Sequence, residues 1–378
     1  MIRVLSVFGT RPEAIKLAPV VRALAQRPAH FESRICLTGQ HREMLDQVMG
    51  VFGLRADRDL ALMSPGQSPA EVASRVLVAL PPVLRELRPD LVLVQGDTMT
   101  TFAAAFAAQL ERIPVGHVEA GLRSGDRWNP FPEELNRRLV TPLARLHFAP
   151  TGTARAALLA EGVPEDEIHL TGNTAIDALL ETLRPDYRFL DPALAALDAS
   201  RRLVLVTTHR RESFGAPLRA ICAAVRELAR LRPDCDFVLP MHPNPEVRAS
   251  VREILGPVAQ VRLIEPVAYR EFCQLMARAY LILTDSGGIQ EEAPALDVPV
   301  LVLREVTERP EGVAAGAARL VGTGRKIVPA ALELLDDREA HRRMASARNP
   351  YGDGKAALRI ADAIAAGDWC APDGLRAA

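Results

Sequence analysis

Tyr280-Leu281-Ile282-Leu283-Thr284-Asp285-Ser286-Gly287-Gly288-Ile289-Gln290-Glu291-Glu292-Ala293-Pro294 carries three signals in succession. Its first five residues are a short apolar run, the mark of a buried strand. Ser286 stands where a helix cap is wanted, and the glycines after it let a ligand approach the backbone. Glu291 and Glu292 are expected in the first turn of the helix that follows, where the dipole favours negative charge. Strand, glycine turn and helix N-terminus together make a phosphate site. Without a ligand, the same residues are a plain strand-to-helix turn.

The alternation recurs along the whole chain. In the first half we expect strands at 4–8, 34–38, 91–94, 115–118 and 146–149, the last closing that half. A turn is expected over 9–13, and helices over 14–25, 44–52, 70–87 and 101–109, the third interrupted at Pro81-Pro82. The second half repeats the plan, with strands at 203–207, 237–240, 261–264, 281–284 and 300–303 and a helix at 218–231. Alternating short apolar strands and helices imply an α/β protein with parallel sheets covered on both faces. The boundary is expected near Thr171-Gly172-Asn173, giving domains 1–171 and 172–355. The polar, Pro-bearing stretch 184–200 reads as a cover, and the helix near 356–367 as crossing back to the first domain.

Length and composition agree with two soluble domains. The chain has 378 residues, 48% hydrophobic and 25% charged, with a formal net charge of −1. No basic field argues for nucleic acid or a membrane surface. The N-terminus reads as a strand, not a signal peptide, and the expected location is cytoplasmic. The five cysteines are scattered and form no C-x-x-C pair, so reduced, packed thiols are expected. Of 46 basic residues only three are lysine, Lys16, Lys326 and Lys355, so a retained lysine stands out.

Polar clusters follow the strands at 9–13, 95–98, 119–123, 209–213 and 286–292. In open parallel sheets, ligands bind outside the carboxyl ends of the strands. Arg11, Lys16, His209, Arg210, Arg211 and Arg309 are cations suited to phosphate. Asp97, Glu119, Glu133 and Glu134 are carboxylates at strand ends or in the adjoining loop. Cations for a diphosphate and carboxylates for proton transfer suggest a nucleotide-sugar enzyme. Each residue has a second reading: Arg11 and Lys16 as a solvated helix face, Asp97 as an N-cap, His209 as a core histidine, Glu133 and Glu134 as dipole partners of a helix start. His242 reads as structural. No G-x-G-x-x-G follows a strand, and Gly322-Thr323-Gly324-Arg325-Lys326 lacks phosphate-loop spacing. No histidine–cysteine cluster points to a metal.

Several longer motifs stand in order: Phe8-Gly9-Thr10-Arg11-Pro12-Glu13-Ala14-Ile15-Lys16, Gln95-Gly96-Asp97-Thr98, Gly116-His117-Val118-Glu119-Ala120-Gly121-Leu122-Arg123, His209-Arg210-Arg211-Glu212-Ser213, Thr307-Glu308-Arg309-Pro310-Glu311 and the opening stretch. In these the chain closely resembles the non-hydrolysing UDP-N-acetylglucosamine 2-epimerases of bacteria, over nearly its whole length. The resemblance implies two Rossmann-like doubly wound parallel-sheet domains facing a central cleft, the GT-B type. It implies interconversion of UDP-N-acetylglucosamine and UDP-N-acetylmannosamine through 2-acetamidoglucal, without a cofactor, in a homodimer. Arg11, Lys16, His209, Phe272, Ser286, Gly287, Gly288, Glu292 and Arg309 match the UDP-binding set. Asp97, Glu119, Glu133 and His209 match the residues tied to catalysis. Val267 stands where some relatives carry glutamine, so a contact there would come from the backbone. Gln40, Glu43 and Arg210 match a site at which some relatives take a second UDP-N-acetylglucosamine as activator. A glycosyltransferase of the same fold, a hydrolysing epimerase and a catalytically silent UDP-sugar sensor are the competing readings.

Overall fold

The structure is a computed structural model that describes residues 1–39, 42–62, 64, 66–208, 210, 214–367 and 369. Its contacts divide the chain into two units, Met1–Glu181 with the chain from Tyr351 onward, and Thr182–Pro350.

The first unit is built on a seven-stranded sheet, all of whose pairings are parallel. Its strands are β1 (Ile2–Phe8), β2 (Phe31–Leu37), β3 (Arg58–Asp59), β4 (Leu91–Gln95), β5 (Val115–Val118), β6 (Leu146–Ala149) and β7 (Ile168–Leu170). The order is β3-β2-β1-β4-β5-β6-β7, so the chain reverses direction across the sheet between β1 and β4. β4 and β5 are buried along their whole length, as strands covered on both faces must be. The covering helices are α1 (Arg11–Ala25), α2 (Arg42–Phe52), α3 (Pro69–Leu87), α4 (Met99–Leu110), α5 (Glu133–Val140), α6 (Gly152–Ala160) and α7 (Thr174–Thr182). α4 lays Ala103, Ala104, Ala105, Ala107 and Ala108, all fully buried, against its neighbours. These small side chains allow a close approach, and longer ones would force the layers apart.

The second unit carries β8 (Arg202–Thr207), β9 (Cys235–Pro240), β10 (Val261–Ile264), β11 (Leu281–Thr284), β12 (Val300–Val302) and β13 (Ala318–Leu320). They form one parallel sheet of order β10-β9-β8-β11-β12-β13, reversing between β8 and β11. Around them lie α8 (Pro192–Ala195), α9 (Ala216–Leu231), α10 (Pro245–Leu255), α11 (Tyr269–Arg278), α12 (Gly287–Glu292), α13 (Pro310–Ala314), α14 (Ile327–Asp336) and α15 (Arg338–Ala345). The stretch 184–200 lies on α11 and β10: Glu271 Oε1 accepts from Leu190 N at 2.7 Å, and Arg262 reaches the carbonyls of Ala193 and Ala196.

Several elements differ from the sequence expectation. α1 begins at Arg11 and leaves only Gly9 and Thr10 as the turn, because Thr10 and Glu13 form a reciprocal capping box. α3 runs unbroken through Pro81 and Pro82. Val78, one of the carbonyls that loses its donor, is exposed to water, while Val76, Leu80, Val83 and Leu84 hold the helix to the core. β6 does not close the first half; the three-residue β7 pairs beyond it. The division falls at Glu181/Thr182 and Pro350/Tyr351, not at 171/172 and 355/356. The reason is local. Asn173 N donates to Tyr351 O at 2.6 Å, and the Asp177 carboxylate caps α16 (Ala356–Ala366) through the N–H groups of Ala356 and Ala357. These bonds tie α7 and the returning chain into the first unit. Among the described residues, no helix is long and apolar enough to cross a membrane.

Candidate active site

In each sheet the point of reversal gathers the polar residues. In the first, β1 and β4 end side by side. Glu13, buried on α1, ties the two ends together. Its Oε2 accepts from Gly9 N at 3.0 Å and Thr10 N at 2.7 Å, and its Oε1 from the Thr98 and Thr101 hydroxyls at 2.7 and 3.2 Å. Burial pushes this carboxyl up, against the pull of those same hydrogen bonds.

Asp97 is not the cap of α4. Thr98 takes that role, its hydroxyl accepting from Thr101 N. The Asp97 side chain is left for an ion pair, with Oδ2 accepting from Arg137 Nε at 2.9 Å, and its backbone O accepts from Asn136 at 2.8 Å. Gly96, at φ 74°, makes the turn into Asp97, a conformation that costs glycine nothing. His117 Nε2 lies 2.7 Å from the Gly96 carbonyl. Burial lowers His117 to about 4, so it is a neutral imidazole that donates through Nε2.

Glu119 follows β5, and its carboxylate is engaged by three side chains. Lys16 Nζ is 2.6 Å from both of its oxygens, Gln95 Nε2 donates to Oε2, and Asn173 Nδ2 lies 3.3 Å from Oε1. Lys16, matched by resemblance to the diphosphate-binding set, is thus engaged with a carboxylate. Glu133 opens α5, half-buried, and its side chain forms no hydrogen bond or ion pair among the described residues. Its neighbour Glu134 is structural: fully buried, it accepts from Arg137, Arg138 and Ser124 N and pins the loop before α5. Arg11 is exposed at the first position of α1.

In the second unit the ends of β8 and β11 meet. Ser286 occupies the N-cap position of α12, but its hydroxyl makes no cap hydrogen bond. α12 is only six residues long, so Glu291 and Glu292 stand in its last turn and not, as expected, in its first. The helix is short because Pro294 follows and the chain passes into a 3-10 turn at Ala293–Leu296. Asp285, fully buried, accepts from Arg210 N at 3.0 Å. Arg210 grips Glu308 with two bonds of 3.0 Å. This pair stands over Gly287, where an added Cβ would meet Arg210 Nη2 at 3.5 Å. Burial pushes Glu308 up, but Arg210, with Arg304 and Arg309, overrides it and holds the carboxyl below its usual range. Arg309 Nε binds the buried Glu291, and its backbone N–H donates to Thr307 at 3.1 Å. Phe272 lies on α11, half-buried. Val267 precedes that helix. His242 accepts from Asn244 N at 3.1 Å and packs edge-on against Phe214, a structural role.

His209, Arg211 and Gln40, and the side chain of Glu43, lie outside the described residues. Sequence reading left several residues without a role that the structure assigns: Glu13, Gln95, His117, Arg137, Asn173 and Glu308. One was readable, since Thr10-Arg11-Pro12-Glu13 has capping-box spacing. Asn173 was not, because it follows a strand too short to recognise.

Two doubly wound parallel sheets, each with its polar residues at the switch point, define a protein of the GT-B type. A family model for UDP-N-acetylglucosamine 2-epimerase matches residues 22–365. A UDP-N-acetylglucosamine 2-epimerase of Yersinia pestis is 54% identical over 96% of this chain and 98% of its own. That of Escherichia coli K12 is 52% identical over 96% and 98%. The crystal structure of the Neisseria meningitidis UDP-GlcNAc 2-epimerase bound to UDP-GlcNAc superposes with a TM-score of 0.87, at 46% identity, over 96% of this chain and 99% of that one. The chain belongs to the UDP-N-acetylglucosamine 2-epimerase family. A glycotransferase of kitacinnamycin, 16% identical at a TM-score of 0.65, shares the fold alone.

Proposed function

We propose that this protein interconverts UDP-N-acetylglucosamine and UDP-N-acetylmannosamine at carbon 2 without hydrolysing them. The observation that carries the reading is the set of carboxylates on one unit, Asp97, Glu119 and Glu133, in a chain of this family. The hydrogen on carbon 2 is not next to a carbonyl, so direct removal is hard. In the proposed route a carboxylate takes that proton as the bond from carbon 1 to the diphosphate oxygen breaks. The electron pair becomes the carbon 1–carbon 2 double bond of 2-acetamidoglucal, and UDP leaves. Return of UDP to carbon 1, with a proton delivered to the opposite face of carbon 2, gives the epimer. Ser286, Gly287, Gly288, Phe272, Glu292 and Arg309 are read as the UDP-binding set, with Arg11, Lys16 and His209 joining them. The product is an activated amino sugar, fit for cytoplasmic synthesis of surface polysaccharide.

The test is NMR of UDP-N-acetylglucosamine incubated in heavy water with the pure protein and no acceptor. UDP-N-acetylmannosamine carrying deuterium at carbon 2 is expected. Product that retained the original hydrogen would exclude the elimination route. Free N-acetylmannosamine would mark a hydrolysing enzyme, and an unchanged substrate a transferase or a sensor.

The same reading includes a homodimer. α4 displays Phe106 and Leu110, 37% and 64% exposed, and its neighbours α3 and α5 expose Val78 and Leu139, at 76% and 40%. Such exposed apolar side chains suit contact with a second copy. Light scattering should return a dimer for the parent and a monomer for Leu110→Glu with Phe106→Glu. A parent that is monomeric at micromolar concentration contradicts it.

A further inference from the structure

Glu119 sits on a left-handed backbone, φ 65°, unusual for a residue with a side chain. Such strain persists only where surrounding contacts hold it, and here they converge on the carboxylate. Lys16 approaches from α1, Gln95 from the end of β4, and Asn173 from the turn after β7. Gln95 and Asn173 are each 2% exposed. Asn173 Oδ1 accepts from Ala175 N at 2.9 Å, which turns Nδ2 towards Glu119. Gln95 Nε2 likewise faces Oε2, since its oxygen would repel a carboxylate.

We propose that Gln95 and Asn173 are positioning residues that fix the plane of the Glu119 carboxylate and hold it ionised. This rests on the reading of Glu119 as a catalytic group. The ammonium of Lys16, equidistant from both oxygens, lies on the axis of the carboxylate and leaves rotation about that axis open, so it does not set the plane. One amide on each oxygen does. Donors to the ionised form also favour that form over the protonated one. Among the described residues, the neutral His117 on the strand before Glu119 feels the same field, with Asp97 and Arg123 acting on its ring as well. None of them replaces an amide donor on Glu119.

Gln95→Met keeps length and removes the donor. Gln95→Glu supplies a carboxyl that donates to Glu119 only when protonated. Asn173→Asp does the same from the other oxygen and keeps the acceptor for Ala175. Gln95→Met is expected to lower kcat about 10- to 100-fold, the worth of a hydrogen bond to a charged group, with KM little changed. Gln95→Glu and Asn173→Asp are expected to be slow at neutral pH and to recover as pH falls, moving the optimum to the acid side. A merely structural role would give the same loss at every pH. Gln95→Met with parental kcat, or acidic variants whose loss does not depend on pH, would overturn the proposal. If the acidic variants fail to fold, Gln95→Met with a melting curve decides it. Glu119→Gln is measured in parallel. If that variant turns over like the parent, the reading of Glu119 has failed. If it is slow while the Gln95 variants are normal, only the positioning role has.

Discussion

Asp97→Asn, Glu119→Gln and Glu133→Gln are each expected to lower kcat by about 10²–10⁴-fold, the contribution of a well-placed acid or base. The three carboxylates sit in different surroundings, which is what separate roles on two faces of a sugar require. The Glu119 side chain is 6% exposed and engaged by Lys16, Gln95 and Asn173. The Asp97 side chain is 32% exposed, and its one side-chain bond among the described residues is Arg137 on Oδ2. Glu133 carries no such bond among them. Glu119 is surrounded by donors, whereas Asp97 keeps Oδ1, and Glu133 its whole carboxylate, without a described donor. Asp97→Asn keeps an oxygen for Arg137, and Glu133→Gln disturbs no described contact, so both should melt close to the parent. Turnover is read by NMR from the appearance of the epimer. Near-parental kcat in all three variants would return these residues to structural roles.

The architecture was legible because strands buried on both faces read as continuous apolar runs. Leu91-Val92-Leu93-Val94 and Leu281-Ile282-Leu283 leave little else to choose. What escaped was short or exposed to water. β3 has two residues and β7 three, and neither length shows a period. The prolines of α3 misled for the opposite reason: a local rule against proline yielded to the tertiary packing of Leu80, Val83 and Leu84. At the site, residue types were legible and partners were not. Lys16 stood out by its rarity, but its pairing with Glu119 spans 103 positions of sequence. Arg309 likewise reads as a cation suited to phosphate, and the structure sets it on Glu291. By sequence position Asp97 suits a cap as well as a functional group, and the structure gives the cap of α4 to Thr98.

Gly121→Ala is expected to destabilise the first unit by roughly 2–5 kcal/mol, from a left-handed backbone and a forced shift of packed atoms. Gly121 has φ 87°, and a Cβ there would lie 2.3 Å from the carbonyl oxygen of Ala154 and 2.9 Å from Leu158 Cγ. Both neighbours belong to α6, which packs with Ala120, Ala149 and Ile168 in a small core of its own. The obstructing oxygen is backbone inside a helix, so no rotamer change relieves the clash. α6 must move away, or the chain after Glu119 must. The second movement draws Glu119 from Lys16, and turnover should then fall along with stability. Gly125→Ala separates the two contributions. Gly125 has φ 83°, but a Cβ there would meet nothing within 4 Å. It should therefore show the conformational cost alone, about 1–2 kcal/mol. Thermal melts of the two variants should differ by several degrees, at about 2–4 °C per kcal/mol for a unit of this size. Equal melting temperatures would mean that α6 yields freely at Ala154 and that close packing beneath Glu119 does not hold it in place.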